Sequence, residues 1–164
     1  MTAPLAVDRQ VRLALLEPDQ PGNFGAALRL TACLGIRLEV VEPCGFPLDE
    51  RRIRRVGMDY VAHADWRRHA DVDAFTRTMA SERRRLILLS ARAQTAYHRF
   101  AFGAGDVLAV GSESRGAPAA IVEQATAVRI PMRTSLRSLN VVTAAAIGLG
   151  EALRQLGGWP AVGE

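Results

Sequence analysis

In the last third of the chain three short segments carry the residues best suited to chemistry: Gly111-Ser112-Glu113-Ser114-Arg115-Gly116, Ile130-Pro131-Met132 and Ser138-Leu139-Asn140. The first sets a carboxylate between two glycines directly after the apolar run Val107 to Val110, the pattern of a strand ending in a loop whose backbone can approach a ligand closely. The second ends a short β-like run at Pro131, and the third follows an arginine-bearing loop into a long apolar segment. Two loops and a helix start in quick succession belong at the edge of a sheet, where open α/β folds bind ligands. Two ordinary β-to-α connections would leave the same pattern. Glu113 and Asn140 therefore either position the loops or touch a substrate, and Ser138 sits where the N-cap of the last helix belongs. Asn23, after Pro21-Gly22, is either a turn residue or a further substrate contact.

These residues lie in a chain of 164, the length of one domain with a sizeable core, read here as 1–164 with flexible ends at 1–10 and 158–164. An apolar content of 49% with only 5% aromatics suits an α/β scaffold of Val, Leu, Ile and Ala. No run approaches the roughly 18 uncharged apolar residues that span a membrane, and Met1 to Gln10 lacks the apolar centre of a signal peptide, so a soluble cytoplasmic protein is expected. The formal charge is +4, and all 21 basic residues are arginines. Arginine pairs with phosphate two bonds at a time and stacks on bases, which suits RNA, although a GC-rich genome would also enrich it. Arg51, Arg52, Arg54 and Arg55 form the first candidate phosphate-contacting stripe and Arg83, Arg84 and Arg85 the second. Cys33 and Cys44 read as reduced and structural, and neither they nor His63, His69 and His98 stand at metal-ligand spacing, so no metal is expected.

The elements that must hold these segments alternate. Val11–Leu16 reads as a buried first strand, Ala26–Leu34 as a helix opened by Gly25 and closed by Gly35, and Arg37–Val41 as a second strand. Leu48–Arg55 and Asp71–Met79 read as helices, Leu86–Leu89 and Val107–Val110 as central strands, Pro118–Gln124 as a short helix and Val128–Ile130 as a last strand. The final helix carries Val141, Ala145, Gly148, Leu149, Ala152, Leu153 and Leu156 at helical spacing. This alternation predicts an α/β fold, a mostly parallel sheet with helices on both faces. No strand is followed by G-x-G-x-x-G, and Ser114 does not satisfy G-x-S-x-G, which argues against a dinucleotide site and against a serine hydrolase.

Read together, Glu17-Pro18, Pro21-Gly22-Asn23, Gly25 and Arg29, Gly111-x-Glu113-x-x-Gly116, and Ile130-Pro131-Met132 with Ser138-Leu139-Asn140 stand in the order of three motifs of one family. The chain resembles the SPOUT-class RNA 2′-O-ribose methyltransferases, of the small single-domain kind that acts on the wobble nucleotide of tRNA. Glu42-Pro43-x-Gly45-Phe46 and the stretch from Arg52 to Tyr60 extend the likeness over about Val11 to Gly157. The resemblance implies a deep trefoil knot in the C-terminal third and a homodimer packed through the first and last helices. It also implies S-adenosyl-L-methionine as cofactor and the tRNA anticodon stem-loop as partner. It gives Arg29 a part in activating the 2′-hydroxyl. It carries cofactor contacts to Leu89, Gly111, Ile130 and Ser138, with Met132 a further wall, and a side chain at Gly111 is expected to fill ligand space. Asn23, Glu113, Asn140, Arg52 and Arg55 are the expected substrate contacts. Two positions depart from the wobble-type pattern: Ala26 stands in place of an asparagine and Val142 in place of a serine. They leave room for another anticodon-loop nucleotide as target, or for an RNA-binding dimer without turnover.

Overall fold

The computed structural model describes residues 10–161. Its six strands, β1 (Arg12–Leu16), β2 (Leu38–Val41), β3 (Trp66–His69), β4 (Leu86–Leu89), β5 (Val107–Val110) and β6 (Thr126–Val128), form one sheet in the order β3-β2-β1-β5-β4-β6. Every neighbouring pair is parallel. The helices are α1 (Pro21–Leu34), α2 (Glu50–Gly57), α3 (Val72–Ser81), α4 (Ala119–Gln124) and α5 (Val141–Leu156). Strand residues alternate between two apolar clusters because successive side chains point to opposite faces. Leu13, Leu15, Leu38, Val40, Ile87, Leu108 and Val110 meet Phe24 and Leu28 of α1 and Ala145, Leu149 and Ala152 of α5. Ala14, Leu16, Val41, Leu88 and Ala109 meet Phe75 and Met79 of α3 and Ile121 of α4. Helices thus cover both faces, as the alternation predicts.

Several element boundaries differ from the sequence reading, each for a local reason. Helix α1 begins at Pro21, whose fixed φ suits the first turn, so Gly25 lies inside the helix and Asn23 in its opening turn rather than in a loop. Gly25 is needed there because a Cβ would run into the backbone carbonyl of Val56 at the end of α2. Strand β3, absent from the sequence reading, is the charged stretch Trp66-Arg67-Arg68-His69. Arg67 stands opposite Glu39 in the register and pairs with it at 2.9 Å, Arg68 pairs with Glu42, and Trp66 packs edge-on against Phe24. The last strand is Thr126–Val128, not Val128–Ile130, because Arg129 leaves β4 and pairs instead with the 95–97 segment. Pro118 caps α4 from outside rather than opening it. Helix α5 starts at Val141 with Asn140 as N-cap, which displaces Ser138 from that role.

The returning helix α5 packs on β5 and β4 and against α1, and its Gln155 holds the long crossover between β4 and β5. Gln155 Nε2 donates to Phe100 O and its Oε1 accepts from Phe102 N, both at 2.9 Å. Of the small residues on α5, Ala145 and Gly148 face the protein's own sheet, where Gly148 gives room to Leu108. Of the ends expected to be flexible, 1–9 and 162–164 lie outside the described residues, while Gly158 N donates to Leu153 O at 3.0 Å. Among the described residues no helix is long and apolar enough to cross a membrane, and no group of three or more His, Cys, Asp and Glu is placed to hold a metal ion.

Candidate active site

Strand order changes direction between β1 and β5: the chain leaves β1 toward β2 on one side, while β5 has β4 and β6 on the other. The carboxyl ends of β1 and β5 therefore open a crevice at a topological switch point, the position where open α/β sheets bind ligands. Two motif segments meet across it. The 111–116 loop is closed by reciprocal bonds between Ser112 and Gly116 (3.0 and 2.9 Å), and Gly116 takes φ +74°, a conformation that favours glycine. Its tip leans on the segment after β1, since Glu113 Oε2 accepts from Asp19 N at 3.3 Å and Asp19 accepts from both the Ser114 N–H and the Ser114 hydroxyl. Arg115 adds an ion pair to Glu17 at 3.4 Å.

The third segment joins through Asn23. Its side-chain amide donates to Glu113 Oε1 and its carbonyl accepts from Asn140 Nδ2 at 2.9 Å. Asn140 Oδ1 in turn accepts from Val142 N and Thr143 N (2.9 and 3.2 Å), capping α5. The expected substrate contacts Asn23, Glu113 and Asn140 thus form one chain of hydrogen bonds linking the starts of α1 and α5 to the glycine loop. Asn140 positions the loops by capping α5, and it is exposed. The sequence raises Ser114 only as a hydrolase nucleophile and passes over Asp19, because an acid before a turn and a serine in a loop carry no distinctive spacing. A hydrogen bond shared with the Glu113 carboxyl first, and one from the Ser114 hydroxyl next, hold the Asp19 carboxyl well below its ordinary range. Asp19 Oδ1 is buried with no hydrogen-bond partner.

The expected cofactor residues gather on the β4–β6 side of the crevice. Leu89 ends β4, Gly111 follows β5, and Ile130, Met132 and Ser138 lie on the 129–140 segment between β6 and α5. Leu89, Ile130 and Met132 are half-buried, and Ser138 is exposed. The backbone groups of Ile130, Met132 and Ser138 make no hydrogen bond within the described residues. Half-buried aliphatic side chains beside free backbone donors and acceptors fit an adenosine-type ligand, which needs an apolar wall and a few polar partners. Gly111 is needed by the loop itself. A Cβ there would strike the backbone of Gly116 and Ala117, so the missing side chain lets the loop fold back on itself.

Arg29 lies outside the hydrogen-bonded chain, with its guanidinium over the Tyr60 ring at 4.7 Å from the centroid. It is exposed and carries no ion pair among the described residues. Arg52 and Arg55 line an open cavity of about 570 Å³ together with Pro21, Asp49, Arg51 and Val56, which brings α2 to the start of α1 and hence to Asn23. Two members of the second stripe expected from sequence are taken up within the protein. Arg84 is buried with its Nη1 on Gln10 O at 2.8 Å, and Arg85 is bound by Asp106 at 2.7 Å, so neither is offered to a phosphate.

Residues 10–150 match the SpoU rRNA Methylase family. The tRNA (cytidine(34)-2'-O)-methyltransferase of Beijerinckia indica is 49% identical over 146 residues, covering 88% of this chain and 91% of that protein. A solved structure presented as structural insights into the 2-OH methylation of C/U34 on tRNA superposes with a TM-score of 0.84 at 35% identity, over 92% of this chain and 99% of that one. The SpoU methyltransferase AviRb from Streptomyces viridochromogenes in complex with AdoMet shares the fold at a TM-score of 0.80 and 24% identity, over 96% of this chain and 61% of its own. With the family covering nearly the whole described chain, and close relatives matching over almost their full length, this protein belongs to the SpoU methylase family.

Proposed function

We propose that this chain is an S-adenosylmethionine-dependent methyltransferase that methylates the ribose 2′-hydroxyl of the wobble nucleotide, cytidine or uridine 34, of tRNA. The observation that carries the proposal is the Asn23–Glu113–Asn140 chain at the switch point, which draws the three motif segments of a SpoU family member into one crevice. The reading includes the threading of α5 as a knot, a homodimer formed on α1 and α5, and a cytoplasmic setting. The exposed Trp159 beside Gly150 of α5 supports the dimer.

Leu89, Ile130, Met132 and Ser138 would hold the cofactor, whose sulfonium supplies an electrophilic methyl group. The reaction then forms an O–C bond as the S–C bond breaks, and the hydroxyl proton leaves to a phosphate oxygen or water. What the protein must do is align the two atoms and stabilise the developing negative charge. Arg29 suits the second task and not that of a base, because a guanidinium stays charged at any working pH. Stacking on Tyr60 orients it without neutralising it. Asn23 and Glu113 fix the floor on which the ribose lies, and Arg52 and Arg55 grip flanking phosphates. The two departures from the wobble-type pattern leave this frame intact: Ala26 is exposed on α1, and Val142 keeps its backbone N–H on the Asn140 cap without needing a hydroxyl.

The experiment is transfer of labelled methyl from S-adenosylmethionine to tRNA lacking ribose methylation, with Arg29→Ala alongside. Wild type is expected to label the RNA, and the variant to bind cofactor normally while transfer is lost. Near-normal turnover by Arg29→Ala would contradict the role of that side chain. Wild-type protein that binds cofactor and labels no tRNA would contradict the function.

A further inference from the structure

Another cavity, of about 470 Å³, opens at the carboxyl edge where β4 and β6 end, across the site from α2. Thr95, His98, Arg99, Arg129 and Pro131 line it. It is built rather than loose. Ala96 bridges Arg129 in parallel, Arg129 N donates to Thr95 O at 2.9 Å, and Tyr97 N donates to Arg129 O at 2.8 Å. Arg99 and Arg129 are exposed, and among the described residues neither guanidinium has an acidic partner or a hydrogen-bond acceptor. Glu151, whose field reaches His98, is itself engaged by Arg154 and Gln155. Two uncompensated like charges on one cavity raise each other's energy, and an anion between them removes the repulsion.

Resting on the methyltransferase reading, we infer that this cavity is a second phosphate-binding subsite for the RNA substrate. The strand carrying the target ribose crosses the carboxyl edge of the sheet, with Arg52 and Arg55 on phosphates to one side and Arg99 and Arg129 on phosphates to the other. From β2, which leads into α2, to β6 the sheet order sets four strand spacings, about 19 Å at about 4.8 Å each. Five to six stacked nucleotides, at about 3.4 Å each, reach that far. A free phosphate or a small carboxylate offers the same chemistry to a guanidinium, but only a polyanion engages both cavities at once.

The test is Arg99→Gln with Arg129→Gln in the full chain, beside the charge-matched control Arg37→Gln with Arg77→Gln. The topology puts the control positions on the turn before β2 and on α3, away from the carboxyl edge. Affinity for unmodified tRNA is measured over a range of salt, and cofactor affinity by calorimetry. The Arg99/Arg129 variant is expected to bind tRNA about tenfold more weakly, with a log–log salt slope shallower by about 1.4, two contacts at about 0.7 each. The control and the cofactor affinity should not move. Unchanged tRNA affinity and slope, or an equal loss in the control, would overturn the subsite. A fall in cofactor affinity with tRNA binding intact would make it part of the cofactor site and overturn the subsite. Failure of the wild-type chain to bind tRNA would overturn the methyltransferase reading, and the subsite with it.

Discussion

One residue type meets two fates in this sheet. Beneath α3, across β1, β2 and β3, the fully buried Glu39 is bound by Arg12 at 2.8 Å, Arg67 at 2.9 Å and His69 at 2.7 Å, and Glu82 closes the group by pairing with both arginines. At the carboxyl edge, Arg51, Arg52, Arg55, Arg99 and Arg129 have no acidic partner among the described residues. A buried charge is tolerable only when paired and hydrogen-bonded, so every arginine in the first group is compensated from within the protein. An exposed cation loses little by standing alone, and it remains available to a phosphate. Charge composition alone hides this division: the 21 arginines behind the net +4 include some that serve folding and some left available to a phosphate.

The sharpest way to break the comparison is Glu39→Gln, which leaves Arg12 and Arg67 with only the partly exposed Glu82 as their anion. A loss of about 3–5 kcal/mol is expected in urea unfolding, the range for removing one member of a buried pair. A loss below about 1 kcal/mol would mean that the group is not held by Glu39. The same carboxylate gives a pH signature. Burial alone would raise its pKa, but the hydrogen bonds from His69 and Arg67 and the charges of Arg67 and Arg12 outweigh burial and bring it from 4.5 to about 2. Its folded pKa lies below its unfolded one, so its contribution is complete above about 4.5 and falls away as pH drops toward about 2. Acid titration of wild type should show this loss, and Glu39→Gln should lack it.

Arg52→Gln with Arg55→Gln is the converse case. Stability should stay within about 0.5 kcal/mol of wild type, while tRNA affinity falls roughly tenfold and the salt slope flattens by about 1.4. A clear drop in stability with unchanged RNA binding would place these residues in the folding group. Arg37→Gln tests the middle ground, since Arg37 pairs with Asp65 at 2.9 Å but both are partly exposed. A cost under about 1 kcal/mol and no effect on tRNA binding are expected, from thermal unfolding and the same binding assay.

The strands of the central sheet were legible because they are buried on both faces and read as unbroken apolar runs. Strand β3 was not, since its stability at the edge comes from charges that meet Glu39 and Glu42 only once β2 is alongside. Arg84 and Arg85 looked like Arg52 and Arg55 for the same reason: the partners that occupy them, Gln10 and Asp106, are 74 and 21 residues distant in sequence. The motif residues Asn23, Glu113 and Asn140 were legible as candidates, but their mutual bonds span up to 117 residues and follow from the strand order. Gly111 shows the limit differently. That the loop needs a glycine there follows from the backbone of Gly116 and Ala117 folding over it, which no spacing in the sequence reveals.

The most direct test of the central claim is to incubate the protein with S-adenosylmethionine and tRNA lacking ribose methylation, then map the modified nucleotide by digestion and mass spectrometry. A single 2′-O-methyl group on cytidine or uridine 34 is expected. A methyl group on a base, on another nucleotide, or on no nucleotide of tRNA by protein that binds the cofactor would contradict it.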